Sequence, residues 1–147
     1  MLILAGYLSL GVAVLHLAII VVGPPGYRYF GAGEEIARMA EAGSPLPAVL
    51  TLGLAAIFGL WGFYAFSGAG LLPRWPLLRT ALVLIGSIYL LRGLLLVPQI
   101  VAVGPGGFKL HKEIMFSLVS LVIGVIYMIG VVRSWRRLSA GATRGIA

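Results

Sequence analysis

Residues 76–97 read PLLRTALVLIGSIYLLRGLLLV. A proline opens the stretch and another, Pro98, follows it. Proline suits the first turn of a helix and disfavours its interior, so the two mark the ends of one element. At 1.5 Å per residue, 22 residues make a helix of about 33 Å, slightly longer than the roughly 30 Å hydrocarbon core of a bilayer. Between the prolines the residues are mostly leucine, isoleucine and valine, yet Arg92 stands among them. The stretch therefore reads as a membrane-spanning helix that carries a permanent charge.

Three further segments have the same character. One runs from about Leu2 to Val22 and ends at Gly23-Pro24-Pro25-Gly26. A second covers about 47–66 and ends at Ser67-Gly68-Ala69-Gly70. The last covers about 111–132 and ends at the basic run Arg133-Ser134-Trp135-Arg136-Arg137. In hydrocarbon every backbone N–H and C=O must be satisfied internally, so these segments are expected to be helices. The composition agrees. The 147 residues are 61% hydrophobic and 10% charged, with mean hydropathy +1.08. A soluble domain has about a quarter of its residues charged, too many for this chain to match. The expected fold is all-α: an integral membrane four-helix bundle forming a single transmembrane domain over 1–147, with a tail over 133–147.

The basic residues are distributed unevenly. The segment from Gly70 to Arg79 and the tail after the fourth span carry Arg74, Arg79, Arg133, Arg136, Arg137 and Arg144 without an acid. The other two connections carry Arg28, Arg38, Lys109 and Lys112 together with Glu34, Glu35, Glu41 and Glu113. By the positive-inside rule both termini are expected in the cytoplasm, in a bacterial inner (plasma) membrane. The net charge of +7 is thus assigned to orientation, not to nucleic acid. The N-terminus has no basic n-region, and no small-x-small cleavage site follows it, so it reads as a retained span.

The first external connection contains GEEIARMAEAG, with acids in its first turn, strong helix formers and Gly43 as a stop. A short amphipathic helix is expected over about 31–42, with Ile36, Met39 and Ala40 on one face and Glu34, Glu35, Arg38 and Glu41 largely on the other. In lipid, small residues mark helix contacts. Gly6, Ser9, Ala13 and His16 form one stripe of helical period; Glu113, Ser117, Ser120, Gly124 and Tyr127 form another. Gly53, Gly59 and Gly62, with Gly86 and Ser87, add candidate close approaches.

The ionisable residues deep in the spans converge on the outer half. Arg92 lies six residues before Pro98, about 9 Å inside, and His16 lies at a similar distance from Val22. Tyr89 and Gln99 share a face with Arg92. Glu113 is expected as its partner, with Glu34 or Glu35 next, because intramembrane charges face the bundle and pair. The competing reading has Arg92 snorkelling to headgroups as an anchor. Arg92, His16, Glu113, Tyr89, Gln99, Glu34 and Glu35 are therefore the candidate ligand-binding residues.

Several chemistries are excluded. With no cysteine, thiol redox chemistry, disulfides and cysteine metal sites drop out. Haem ligated by His16 and His111 would need both at matched depth, and His111 falls at the water boundary. "HKE" at 111–113 lacks the i, i+3 or i+4 spacing that puts metal ligands on one helix face. No nucleophile, phosphate-loop or dinucleotide motif occurs. No metal or cofactor is expected.

The stretches AGYLSLGVAVLHL (5–17), YRYFGAGEEIARMAEAGSPLPA (27–48), YAFSGAG (64–70) followed by PLLR (76–79), and YLLRG (89–93) resemble a group of small bacterial four-helix inner-membrane proteins. That group has no assigned activity, so no residue role carries over. In layout the chain is also similar to the DoxX-like proteins, which implies architecture alone. The residues leave three functions open. The protein binds a small anionic or amphipathic ligand, or serves a transporter as an accessory subunit, with Arg92 as the anion contact. Alternatively it is a small membrane enzyme acting on a lipid or quinone-like substrate, with His16 or a glutamate as acid/base. As a third alternative it is a structural or assembly subunit without a cavity. Membrane lipids, a lipophilic or anionic small molecule and a second copy of the chain are the expected partners.

Overall fold

A computed structural model describes residues 1–98 and 112–140, without the side chains of Glu113, Ser139 and Ala140. The described residues form α1 (Leu2–Val22), α2 (Pro24–Tyr29), α3 (Glu34–Glu41), α4 (Leu46–Ala69), α5 (Leu78–Leu94) and α6 (Lys112–Ala140). Among them there is no strand. Four helical stretches, Leu2–Val22, Leu46–Ala69, Leu78–Pro98 and Ile114–Leu138, are long and apolar enough to cross a bilayer. The fold is thus the all-α four-helix membrane architecture, and the chain is a multi-pass membrane protein. Large apolar side chains stand uncovered along every span, among them Val14 (63% exposed), Val49 (62%), Leu91 (65%) and Val122 (49%). Water would penalise this arrangement and lipid does not.

Several boundaries differ from the sequence reading. The Gly-Pro-Pro-Gly segment ends α1 and also begins α2, because prolines at the first helical positions give up no hydrogen bond. α4 continues past Phe66 to Ala69 and stops at Gly70, whose φ of +83° suits glycine. There the N–H of Leu71 donates to the Phe66 carbonyl (3.0 Å) and that of Gly70 to the Ser67 carbonyl (3.0 Å), the Schellman pattern. α6 does not end at Val132 but runs through the basic segment to Ala140. α5 begins at Leu78 rather than Pro76; Leu77, in a left-handed conformation (φ +53°), turns the chain into it.

The chain divides into two compact units, with the boundary inside α1 and α4. In the unit of Met1–Leu8 and Trp61–Ala147, α5 and α6 pack along their length. Glycines permit the approach. A Cβ at Gly93 would lie 2.5 Å from the Leu121 Cα, one at Gly124 2.8 Å from the Leu90 nitrogen, and one at Gly86 2.9 Å from the Met128 sulfur. Leu2 at the start of α1 covers Gly130, and Phe66 on α4 covers Gly6. Leu82, Ile85, Tyr89, Ile123, Tyr127 and Val131 are buried here. Of the expected α6 stripe, Ser117, Gly124 and Tyr127 are buried.

In the unit of Ser9–Leu60, α2 and α3 fold onto the end of α1. Ile19, Tyr27 and Ala37 are buried together, with Phe30, Ile36 and Ala40 packed around them. The apolar face of α3 is therefore docked, as its amphipathic pattern implies. Gly43 ends α3 with the same Schellman pattern: the Ser44 N–H meets the Met39 carbonyl (2.9 Å) and the Gly43 N–H the Ala40 carbonyl (3.1 Å). Gly53 and Gly59, expected at close approaches, have open space where a Cβ would stand.

Candidate functional site at Arg92

Arg92 lies in the last turn of α5, where the carbonyl end of the helix dipole favours a cation. Its Nη1 donates to the Ser117 hydroxyl on α6 at 3.0 Å. Ser117 is fully buried, whereas Arg92 is exposed. The glycine next to Arg92 makes the reach possible. Gly93 rests on Leu121, which follows Ser117 by one turn, so the two backbones approach closely near the point where the guanidinium crosses. Among the described residues the Arg92 guanidinium meets no carboxylate. A guanidinium carries five N–H donors, and one of them is given to a neutral hydroxyl.

Tyr89, one turn earlier, is buried in an aromatic cluster. Its ring stacks on Tyr127 (5.8 Å between centroids, 20°) and meets Trp61 edge-on (5.2 Å, 71°). The Tyr127 hydroxyl donates to the Trp61 carbonyl at 3.0 Å, tying α6 to α4. Tyr89 thus supports the turn that carries Arg92 through packing.

His16 belongs to the other unit. Its Nδ1 lies 2.8 Å from the Val12 carbonyl of its own helix, and its ring packs on Phe58 at 4.9 Å. A ring nitrogen that approaches a carbonyl must carry the proton, which leaves Nε2 of the neutral ring as the acceptor. Gln99 and His111 lie outside the described residues, as does the Glu113 side chain.

Glu34 and Glu35 part company. Glu35 is exposed. Glu34 and Glu41, two turns apart on one face of α3, both grip Arg28 of α2. Arg28 Nε and Nη2 donate to the Glu34 carboxylate (3.0 and 2.9 Å), and Nη1 and Nη2 to the Glu41 carboxylate (2.6 and 3.0 Å). Arg38 adds a longer contact to Glu34 at 3.5 Å. The Arg28 hydrogen bonds hold both carboxyls below their ordinary pKa, against a smaller opposing effect of desolvation, and the two carboxylates raise that of Arg28.

No family model, curated protein or solved structure matches this chain. The site is therefore read from its own geometry. Sequence reasoning passed over Arg28, although Glu34 and Glu41 at a spacing of seven were a signal for one cation between them. It placed Ser117 on the packing stripe of α6 but did not pair it with Arg92. A search for carboxylates as partners of a charge in an apolar span overlooks hydroxyls.

Proposed function

We propose that this protein binds an amphiphile with an anionic head at Arg92, in the outer half of a four-helix bundle of the bacterial inner membrane, with both termini in the cytoplasm. The single observation behind this reading is the Arg92–Ser117 pair. One donor of a permanent cation is held by a buried hydroxyl on the next helix, and the residue remains exposed beside a lipid-facing surface. A guanidinium keeps its proton at any ordinary pH, so it cannot escape the cost of its position by neutralising. Among the described residues no carboxylate meets Arg92; an anionic head would supply a counter-charge, and the planar fork suits a carboxylate or a phosphate. The tail of such a ligand would lie along Leu91, Leu94 and Leu95, all exposed on the same helix end. The six-to-zero basic excess on the other side supports the orientation.

The test is ligand-induced stabilisation in detergent. Palmitate should raise the melting temperature of the wild type more than palmitoyl alcohol does, and Arg92→Leu should abolish the difference. Arg92→Lys, which retains charge and loses the fork, should give an intermediate shift. Equal shifts for acid and alcohol in the wild type would remove the proposal.

A further inference from the structure

We infer that the end of the molecule formed by the α4–α5 connection and the last turns of α6 is a binding site for the headgroup of an anionic phospholipid. Three observations combine there. α6 continues as helix well beyond its apolar run, so Arg133, Arg136 and Arg137, at spacings of three and four, share one helical face. Arg74, from the connection, donates Nη1 to the Arg137 carbonyl (3.2 Å) and Nη2 to the Leu138 carbonyl. These carbonyls belong to the last turn of α6, where a helix has no further N–H to offer. The Arg79 guanidinium, in the first turn of α5, stands 3.6 Å above the Trp135 ring. The two braces gather five arginines at one end of the unit.

The chain is poor in acidic side chains. Its acids are Glu34, Glu35, Glu41 and Glu113. Glu113, the only one in this unit, is near the start of α6, about 36 Å of helix rise from Arg137. Arg133 and Arg136 are exposed, and Trp75 and Trp135 mark the depth at which aromatic side chains meet headgroups. A phosphate at that depth is the anion the geometry fits, and the guanidinium fork matches its oxygens. Membrane-surface cations add affinity of about fivefold each for an anionic headgroup.

The experiment is native mass spectrometry of the full chain in mild detergent, titrated with phosphatidylglycerol and with phosphatidylcholine of the same acyl chains. The wild type should retain phosphatidylglycerol in preference to phosphatidylcholine. Arg133→Gln/Arg136→Gln should weaken phosphatidylglycerol binding by about 25-fold, the product of two fivefold losses. These positions are chosen because the braces run through Arg74, Arg79 and Arg137 instead. Arg92→Leu should keep the preference, which separates this site from the one proposed above. Equal retention of the two lipids by the wild type would overturn the inference. So would a double variant that keeps the wild-type preference, or a preference lost in Arg92→Leu alone. If the double variant fails to insert, the wild-type comparison repeated at raised salt decides: screening should erase the preference, and a salt-independent preference would overturn the site.

Discussion

The Arg92 guanidinium on α5 reaches the buried Ser117 hydroxyl on α6 across 3.0 Å. An intramembrane cation is thereby fixed to a neighbouring helix by a neutral partner, which orients the charge without cancelling it.

Removing the hydroxyl should loosen that orientation. Ser117→Ala is expected to cost about 0.6 kcal/mol, the average for interhelical hydrogen bonds in a membrane protein, and at most about 1.7 kcal/mol, and to weaken palmitate binding. Reversible unfolding in mixed micelles measures the first and thermal shift the second. No change in either would mean that the contact does not hold Arg92.

The glycines of the α5–α6 seam should respond differently from those on open faces. In a helix, Gly→Ala ordinarily gains about 0.5–1 kcal/mol. At Gly93 the new Cβ would meet Leu121 backbone at 2.5–2.6 Å, and overpacking costs of about 1–3 kcal/mol exceed that gain. Gly93→Ala should therefore destabilise, whereas Gly11→Ala and Gly53→Ala, with nothing within 4 Å, should be neutral or stabilising. The same micelle unfolding ranks all three, and a stabilised Gly93→Ala would contradict the packing.

The Arg28 clamp should give α3 a dependence on pH. Glu34 and Glu41 are held below their ordinary value of 4.5, chiefly by hydrogen bonds from Arg28. A carboxyl whose folded pKa is depressed binds fewer protons in the folded state. Its contribution is complete above the ordinary value and is lost as pH falls through the lowered one. Amide exchange in α3, corrected for its intrinsic rate, should be constant at neutral and mildly acidic pH and accelerate below about pH 4.5. Glu34→Gln/Glu41→Gln should show the faster exchange at neutral pH. Exchange in that variant identical to the wild type at pH 7 would dismiss the clamp.

The proposed orientation has its own test. Alkaline phosphatase fused after Arg137 should be inactive, and fused after Gly43 it should be active. The reverse pattern would invert the molecule.

The spans were legible in the sequence because each is an apolar run of sufficient length bounded by Gly, Pro or Arg. α3 was legible for a similar reason: its charges and apolar residues separate cleanly by face, and Gly43 supplies the left-handed residue that ends it. α2 was hidden because Gly-Pro-Pro-Gly reads as a stop, although the same prolines can start a helix. The extension of α6 was hidden because a run of arginines ends a membrane-embedded stretch without ending a helix; arginine is a good helix former. The Arg28 clamp joins two short helices across a turn, where no fixed periodicity operates. The partner of Arg92 depends on where Gly93 meets Leu121, a register between helices that no single helix encodes.

The most direct measurement of the central claim is photo-crosslinking with a diazirine analogue of palmitic acid, mapped by peptide mass spectrometry. The account predicts labelling concentrated in α5 around Leu91–Leu95 and in α6 around Ile114–Leu118, competed by palmitate and lost in Arg92→Leu. Labelling spread evenly over the lipid-facing residues of all four spans, and unchanged in Arg92→Leu, would contradict it.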